Sequence, residues 1–452
     1  MKFKSTIILL FAAVTTTLAQ SKQWSLQECV EYAMENNLSV AQFELDLENV
    51  KIERSDALGN FLPSLNANTT VSERSGLVTN PNTNIIEPGQ IFSTSAGINA
   101  GMTIFDGMQN LYRLQRAKLS AIATQYGLDD LQDDISLNVA EAYLQVLSNK
   151  EALKVSQAQY EITKQDVNRT KELVDSGVLP RGDLLEIEAT AATQEQQIIN
   201  GEALVLISRI NLAQLLQITD YQNFDVMKES YEVPPSEIMS TSPESIYAKA
   251  LTFRNDIKFS EANIDLAEKD LQIAKGARYP TLSTFFQYNT FYTNQFRSAP
   301  DGFGGVTTFR PDFIDQLWLN DGISYGFQLN IPVFNGFATE NNVKRSKIGV
   351  KRAELQLEQN KLELENTIQQ AHVNVKTFGK TFEATQKTLE AQRLAYDYAK
   401  ERYEVGLLNA FDFGQAQARV DNAEASVIRA KYDYIFRLKI LEFFYGIPLS
   451  LD

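Results

Sequence analysis

One cysteine and one histidine are all that 452 residues provide. A lone Cys29 excludes any intrachain disulfide. Cys29 and His372, 343 positions apart, make neither a zinc site nor a thiol–imidazole nucleophile. Cys29 sits in the helical stretch Leu26-Gln-Glu-Cys-Val-Glu-Tyr-Ala33, ten residues past Ala19, and reads as a buried structural thiol rather than a lipid-attachment site. His372 reads as a helix residue. No phosphate-binding glycine loop and no nucleophile–base cluster is present, so the sequence argues against an enzyme and names no cofactor. Basic residues are also short: 42 Lys and Arg stand against 57 Asp and Glu, a formal charge of −15. That excludes the basic footprint of a nucleic-acid binder and suits a surface or lumen that favours cations.

Long apolar runs are missing too. Ile7 to Val14 is the best, and it is too short to cross a bilayer as a helix. With Lys2 and Lys4 before it and Thr17-Leu18-Ala19 after it, residues 1–19 read as a secretory signal with the mature chain starting at Gln20. Loss of those two lysines takes the charge from −15 to −17. Any membrane span must therefore be made of strands.

Such a strand is present. From Ile323 to Val333 the odd positions are Ile323, Tyr325, Phe327, Leu329, Ile331 and Val333, and the even ones are small or polar, Ser324, Gly326, Gln328, Asn330 and Pro332. A period of two marks a strand with one apolar and one polar face, and ~9–11 tilted residues span a bilayer. The expectation is that Tyr325, Phe327, Leu329 and Ile331 face lipid and Ser324, Gln328 and Asn330 face a lumen. An edge strand of a soluble sandwich is the alternative reading of this segment alone. After Gly336 proline is absent until Pro448, and the pattern turns helical.

The chain repeats itself. Gly59-Asn-Phe-Leu-Pro-Ser-Leu65 resembles Gly276-Ala-Arg-Tyr-Pro-Thr-Leu282, Ile104-Phe-Asp-Gly107 resembles Val333-Phe-Asn-Gly336, and Glu172–Asp183 resembles Glu401–Asp412. The last two pairs share an offset of 229 and the first an offset of 217, so the second copy holds twelve extra residues between its strands. The expected organisation is a first repeat over 20–217, a linker over 218–243 and a second repeat over 244–452. Within them we expect entering helices at 35–58 and 244–277, β-hairpins at about 62–106 and 279–335, and long helices at about 107–176 and 337–405. Return helices should follow at about 183–217 and 412–447. Turn-rich loops are expected at Gly76 to Gln90 and Asn294 to Asp321, with Asn80-Pro81-Asn82, Pro300-Asp-Gly302 and Gly304-Gly305 as their turns. Pro63, Gly107, Pro280, Pro332 and Gly336 stand at the strand–helix junctions. Gly107 to Gly177 and Gly336 to Gly406 are each 70 positions without proline, on the order of 100 Å of helix at ~1.5 Å per residue. Leu128, Leu131, Ile135, Val139, Ala142 and Val146 keep coiled-coil spacing. Asp183 and Asp412 fall at the starts of the return helices, where a carboxylate meets the positive end of the helix dipole.

Four strands cannot close a barrel, and open edges cannot sit in lipid. Three copies would supply twelve strands, an even number in the membrane-barrel range. The fold expected is thus an α+β membrane protein, internally duplicated: a trimeric twelve-stranded barrel, four strands per chain, continuing into an α-helical barrel. A structural periplasmic coiled coil would explain the helices without the strands, and a stand-alone porin the strands without the helices.

Trp24-Ser-Leu-Gln-Glu-Cys-Val-Glu-Tyr-Ala33, the Leu-Pro-Ser-Leu and Tyr-Pro-Thr-Leu strand entries, the Phe-Asp-Gly and Phe-Asn-Gly exits and the Tyr403-Glu-Val-Gly406 turn together resemble the TolC-type outer-membrane efflux protein family. The resemblance implies a homotrimeric channel-tunnel in the Gram-negative outer membrane that extends into the periplasm. It implies a passive conduit for drug efflux or type I secretion. Its partners would be a periplasmic adaptor (membrane fusion) protein and an inner-membrane transporter of RND, ABC or MFS type. It further implies a periplasmic gate at the helix ends, with Asp183, Tyr403 and Asp412 at matching positions. Leu408 and Gln415 stand where the best-known member has a gating arginine and a second pore aspartate.

Overall fold

A computed structural model describes residues 23–79, 84–227, 231–234, 236–300 and 305–449. The expected signal segment 1–19, the turns at Asn80-Pro81-Asn82 and Asp301 to Gly304, and Pro235 of the linker lie outside the described residues. In chain order the elements are β1 (Gln23–Trp24), α1 (Leu26–Asn36), α2 (Leu38–Gly59), β2 (Ser64–Thr79), β3 (Ile86–Phe105), α3 (Gln109–Asp175), α4 (Arg181–Leu215) and β4 (Asp225–Val226). A short 3-10 turn at Ile238–Ser240 follows. Then come α5 (Pro243–Phe253), α6 (Asn255–Gly276), β5 (Thr281–Thr293), β6 (Arg297–Pro300), β7 (Val306–Phe309), α7 (Phe313–Leu319), β8 (Gly322–Asn330), α8 (Ala338–Glu404) and α9 (Ala410–Phe444).

The duplicated sequence gives duplicated elements. α3 and α8 are each 67 residues, α4 and α9 each 35, α2 and α6 each 22, and α1 and α5 each 11. The long helices stop alike. At Gly177 and Gly406 φ is +78°, a left-handed conformation that glycine adopts without Cβ strain. Val178 N–H donates to Leu173 O and Gly177 N–H to Val174 O; Leu407 and Gly406 repeat the pair with Arg402 and Tyr403.

Several expectations need correction. The entering helices are each broken, at Asn37 and at Arg254, because both residues leave the helical region (ψ 127° and 130°). Within the expected first loop, Gly76 to Thr79 and Ile86 to Gln90 are strand, not loop: Gly76 pairs with Gly89 and Thr79 with Ile86. Backbone pairing needs no side chain, and Pro88 is tolerated because β3 is a sheet edge there, β5 having ended at Thr293 opposite Ser93. β8 stops at Asn330, since Pro332 supplies no ladder N–H, so Ile331 and Val333 lie beyond the strand. The described residues of the expected second loop hold the antiparallel β6–β7 pair and α7.

The chain divides into two compact units, residues 45–126 with 257–359 and the remainder. The first unit holds one four-stranded antiparallel sheet in the order β2-β3-β5-β8. The second is helical. Its core surrounds Val139, Tyr143, Val146 and Leu147 of α3, packed with Cys29 and Ala33 of α1, Leu212 of α4 and Ile435 of α9. Tyr143 Oη–H donates to Trp24 O at 3.2 Å, tying α3 to the β1–β4 pair. Cys29 is fully buried.

Candidate functional site

In the sheet unit the register decides which side chains share a face. Tyr325 pairs with Phe286, Phe286 with Ala100, and Ala100 with Leu65; one step along, Ile323, Tyr288, Ile98 and Ala67 align. Directly opposed residues in an antiparallel ladder project to the same side. One face therefore carries Leu65, Val71, Ile98, Met102, Leu282, Phe286, Tyr288 and the β8 residues Tyr325, Phe327 and Leu329. The other face carries Asn66, Asn68, Thr70, Asn99, Ser283, Gln287, Ser324 and Gln328. Asn99 bonds Asn68 (2.9 Å), Ser72 meets Ser93 (3.0 Å), and Ser324 meets Gln287 (3.5 Å) on that polar side. The apolar face is bare: Tyr325 is 79% exposed and Phe327 73%. Soluble monomers rarely leave so large an apolar surface open. Among the described residues β2 and β8 each have one edge with no strand partner.

The strand exits have a local logic. The Asp106 carboxylate accepts from Asn110 N–H at 2.9 Å, and 229 residues on the Asn335 side-chain oxygen accepts from Thr339 N–H at 3.4 Å. Each Asx residue thus caps the first turn of a long helix. The following Gly107 and Gly336 have φ of +72° and +64°. The two glycines differ in surroundings. A Cβ on Gly107 would lie 2.2 Å from Gly276 O, whereas one on Gly336 would meet nothing within 4 Å. Pro63, Pro280 and Pro332 stand outside the regular elements, just before β2, just before β5 and two residues after β8. Arg278 and Glu340 form an ion pair at 2.5 Å beside the second exit.

In the helical unit, Asp183 and Tyr403 line one cavity of about 780 Å³ at the turns after α3 and α8, with Asp166, Arg169 and Phe413. Tyr403 stacks on Phe413 at 4.6 Å and 2°, and Tyr396 covers Phe413 at 5.6 Å. The Tyr403 hydroxyl lies 3.3 Å from Thr170 Oγ1, and Arg169 pairs with Glu404 at 3.1 Å. Burial raises the Tyr403 phenol above its ordinary value, and the Asp183 charge adds to this. Burial also raises Asp166, against Lys400 and Arg169. Asp412 is not among the cavity's lining residues. It is exposed in the first turn of α9, its N–H donating to Asn409 Oδ1 at 2.8 Å and its Oδ2 accepting from Asn409 Nδ2 at 3.0 Å.

Sequence reasoning missed a line of polar contacts between α3, α4, α8 and α9. Gln417 donates to Thr163 (2.5 Å), Gln159 to Glu424 (2.9 Å), Arg393 to Glu424 (2.6 Å) and Gln194 to Asp421 (2.8 Å). Glu151 takes Lys431 at 2.8 Å and the Tyr432 hydroxyl at 2.6 Å. Gln194 is 4% exposed, and its Oε1 and Asp421 Oδ1 find no partner among the described residues. Both residues line a cavity of about 170 Å³. Burial pushes the Asp421 carboxyl up to about 6, with Glu424 adding to it and the Gln194 bond opposing. A local signal existed: Gln417 and Glu424 interrupt the α9 stripe Phe413, Val420, Ile428, Tyr432, Ile435.

A family model described as "Outer membrane efflux protein" matches residues 30–216 and 246–443. The chain belongs to the outer membrane efflux protein family. Its sequence is 22% identical over 435 residues to the outer membrane protein TolC of Vibrio cholerae, covering 94% of this chain and 92% of that one. It is 22% identical over 350 residues to TolC of Escherichia coli K12, covering 76% and 67%. Among solved structures it superimposes on the CmeC outer membrane channel of Campylobacter jejuni with a TM-score of 0.77 at 18% identity, over 93% of this chain and 85% of that one. The outer membrane protein VceC of V. cholerae gives 0.75 at 15%, over 94% and 97%. The shared fold is that of the outer-membrane channels. Family membership fixes the compartment as the Gram-negative outer membrane and the task as efflux.

Proposed function

We propose that three copies of this chain form a passive outer-membrane conduit: a twelve-stranded barrel that continues into an α-helical barrel across the periplasm. The observation that carries the reading is the sheet with one bare apolar face and two edges, β2 and β8, that have no strand partner among the described residues. In hydrocarbon each unpaired backbone group costs several kcal/mol, so the edges must be closed by other copies. Three times four strands gives an even barrel. In this reading Tyr325, Phe327 and Leu329 contact lipid, with Ile331 just past the strand, and the Asn/Ser/Gln face lines the lumen. Pro63, Gly107, Pro280, Pro332 and Gly336 set the strand-to-helix passage. Asp183, Tyr403 and Asp412 form the periplasmic constriction, Asp412 as a cation-attracting ring. A periplasmic adaptor and an inner-membrane RND, ABC or MFS transporter feed the conduit, in drug efflux or type I secretion; the chain itself performs no chemistry. The test is native mass and conductance of protein extracted from membranes. A heat-modifiable trimer that conducts in planar bilayers is expected. A stable, membrane-inserted monomer refutes the assembly.

A further inference from the structure

The twelve residues that the second repeat has over the first fall between β5 and β8, in the region of the β6–β7 hairpin and α7. α7 reads Phe-Ile-Asp-Gln-Leu-Trp-Leu, five apolar residues of seven. It is fixed to the sheet by side-chain amides that continue the ladder where β8 has not yet begun. β5 pairs with β8 only as far as Asn289 opposite Gly322. Beyond that point Gln316 Oε1 accepts from Thr293 N–H and Gln316 Nε2 donates to Thr293 O, both at 3.0 Å, and Asn320 Nδ2 donates to Phe291 O at 2.7 Å. Gln316 is 1% exposed, and Thr290 Oγ1 donates to Leu317 O at 2.6 Å. So held, α7 turns its apolar side chains outward: Trp318 is 72% exposed, and Phe313, Ile314 and Leu319 are exposed with it. Phe313 packs on Tyr292 at 5.0 Å, and Tyr292 on Phe92 at 6.4 Å. Tyr292 shares the face of Phe286 and Tyr288, so the α7 surface is continuous with the bare apolar face of the sheet.

We propose that α7 is an interfacial lipid anchor at the loop end of the barrel, its Ile314, Trp318 and Leu319 side chains resting among acyl chains just below the headgroups. The proposal rests on the barrel reading above. Three observations select lipid as the occupant. The surface continues the sheet face that meets the bilayer. Its aromatic residues are of the kind that sit at membrane interfaces. Its borders are charged, with Asp312, Asp315, Asp321 and Arg310 exposed around it, as in an interfacial helix with one apolar side.

The chain has two tryptophans, Trp24 and Trp318, so Trp24→Phe leaves Trp318 as the only indole. Should that variant fold poorly, the wild type minus Trp318→Phe reports the same signal. The protein is reconstituted into phosphatidylcholine vesicles whose acyl chains carry bromine near the headgroup. Trp318 should emit at shorter wavelength than in water, lose most of its fluorescence to the brominated lipid and resist iodide. Quenching by iodide and not by bromine overturns the proposal. Shielding from both also overturns it and makes a second copy of the chain the occupant. Phe327→Trp, with both native indoles replaced by Phe, tests the underlying reading in the same vesicles. Quenching at 327 without quenching at 318 removes the α7 anchor alone; no quenching at either position removes the barrel reading with it.

Discussion

Asp421 and Gln194 hold two acceptors that one proton can satisfy. Gln194 Nε2 donates to Asp421 Oδ2 at 2.8 Å, while Gln194 Oε1 and Asp421 Oδ1 have no partner among the described residues. A protonated Oδ1 would donate to Gln194 Oε1 and close a two-bond acid–amide pair, in line with a carboxyl pushed up to about 6. In the unfolded chain the same carboxyl titrates near 4. Its folded value is raised, so the native state holds the proton more tightly. The pair therefore costs nothing below about pH 4, and stability falls as pH rises through about 6. The move from about 4 to about 6 is worth ~3 kcal/mol, and solvent reaching the partly exposed Asp421 reduces it towards ~1.5. Asp421→Asn supplies a donor of the same shape at every pH. At pH 8 the variant should be more stable than the wild type by ~1.4–2.8 kcal/mol, a ten- to hundredfold smaller opening constant. At pH 4 the two should coincide. Hydrogen exchange of peptides covering 190–198 and 417–425 reads this locally, without unfolding the assembly. Slower exchange at pH 8 only in the variant is the expected result. A variant that exchanges faster at pH 8, or whose advantage persists at pH 4, refutes the shared-proton argument; water in the adjoining cavity would then be what satisfies the two oxygens.

Gly107→Ala must accept φ +72° and a Cβ 2.2 Å from Gly276 O, whereas Gly336→Ala pays only the left-handed cost. Gly107→Ala should thus lower stability by ~3 kcal/mol or more and Gly336→Ala by ~1–2, read as loss of heat-resistant assembly. Leu329→Arg should cost ~2–4 kcal/mol in membrane assembly and Gln328→Arg far less, and equal yields would cancel the face assignment. At the helix turns, Asp412→Ala should weaken block of single-channel conductance by multivalent cations. Phe413→Ala, which removes the ring between Tyr403 and Tyr396, should raise resting conductance more than Tyr403→Phe, which keeps the stack and loses only the 3.3 Å contact with Thr170.

The alternation in Ile323 to Leu329 was legible because a strand repeats every two residues and one face must be bare. The duplicated Gly177 and Gly406 turns were legible because a left-handed C-cap selects glycine. Hairpin β2–β3 was only half legible. Its outer part, with Gly76, Pro88 and Gly89, is made of turn-forming residues, yet backbone pairing holds it extended. Of the two helix breaks, Asn37 carries a local signal, its Oδ1 accepting from Ser39 N–H at 2.8 Å as an N-cap of α2, whereas Arg254 is no strong breaker and is set by its tertiary place. Asp183 and Tyr403 share a cavity although 220 residues separate them, a grouping that only the family resemblance implied. Pairs such as Gln194–Asp421 follow from no local pattern, since each partner is fixed by a register between separate helices.

That register is where the polar line has its physical use. The α3–α9 pairs Thr163–Gln417, Gln159–Glu424 and Glu151–Lys431 have residue-number sums of 580, 583 and 582. A nearly constant sum is the signature of one antiparallel alignment. Apolar side chains would tolerate a slip of one helical turn, because alanine, valine and leucine in a stripe are nearly interchangeable knobs. Polar partners would not: the slip would leave Gln417 and Glu151 unpaired and Glu424 with only its α8 partner Arg393, at the cost of buried unsatisfied groups. Buried polar pairs add little net stability, but they discriminate strongly between alignments. In helices of 67 and 35 residues with narrow apolar stripes, alignment is the property most easily lost. The turns that carry Asp183, Tyr403 and Asp412 can be brought to one level only if the helices leading to them do not slide.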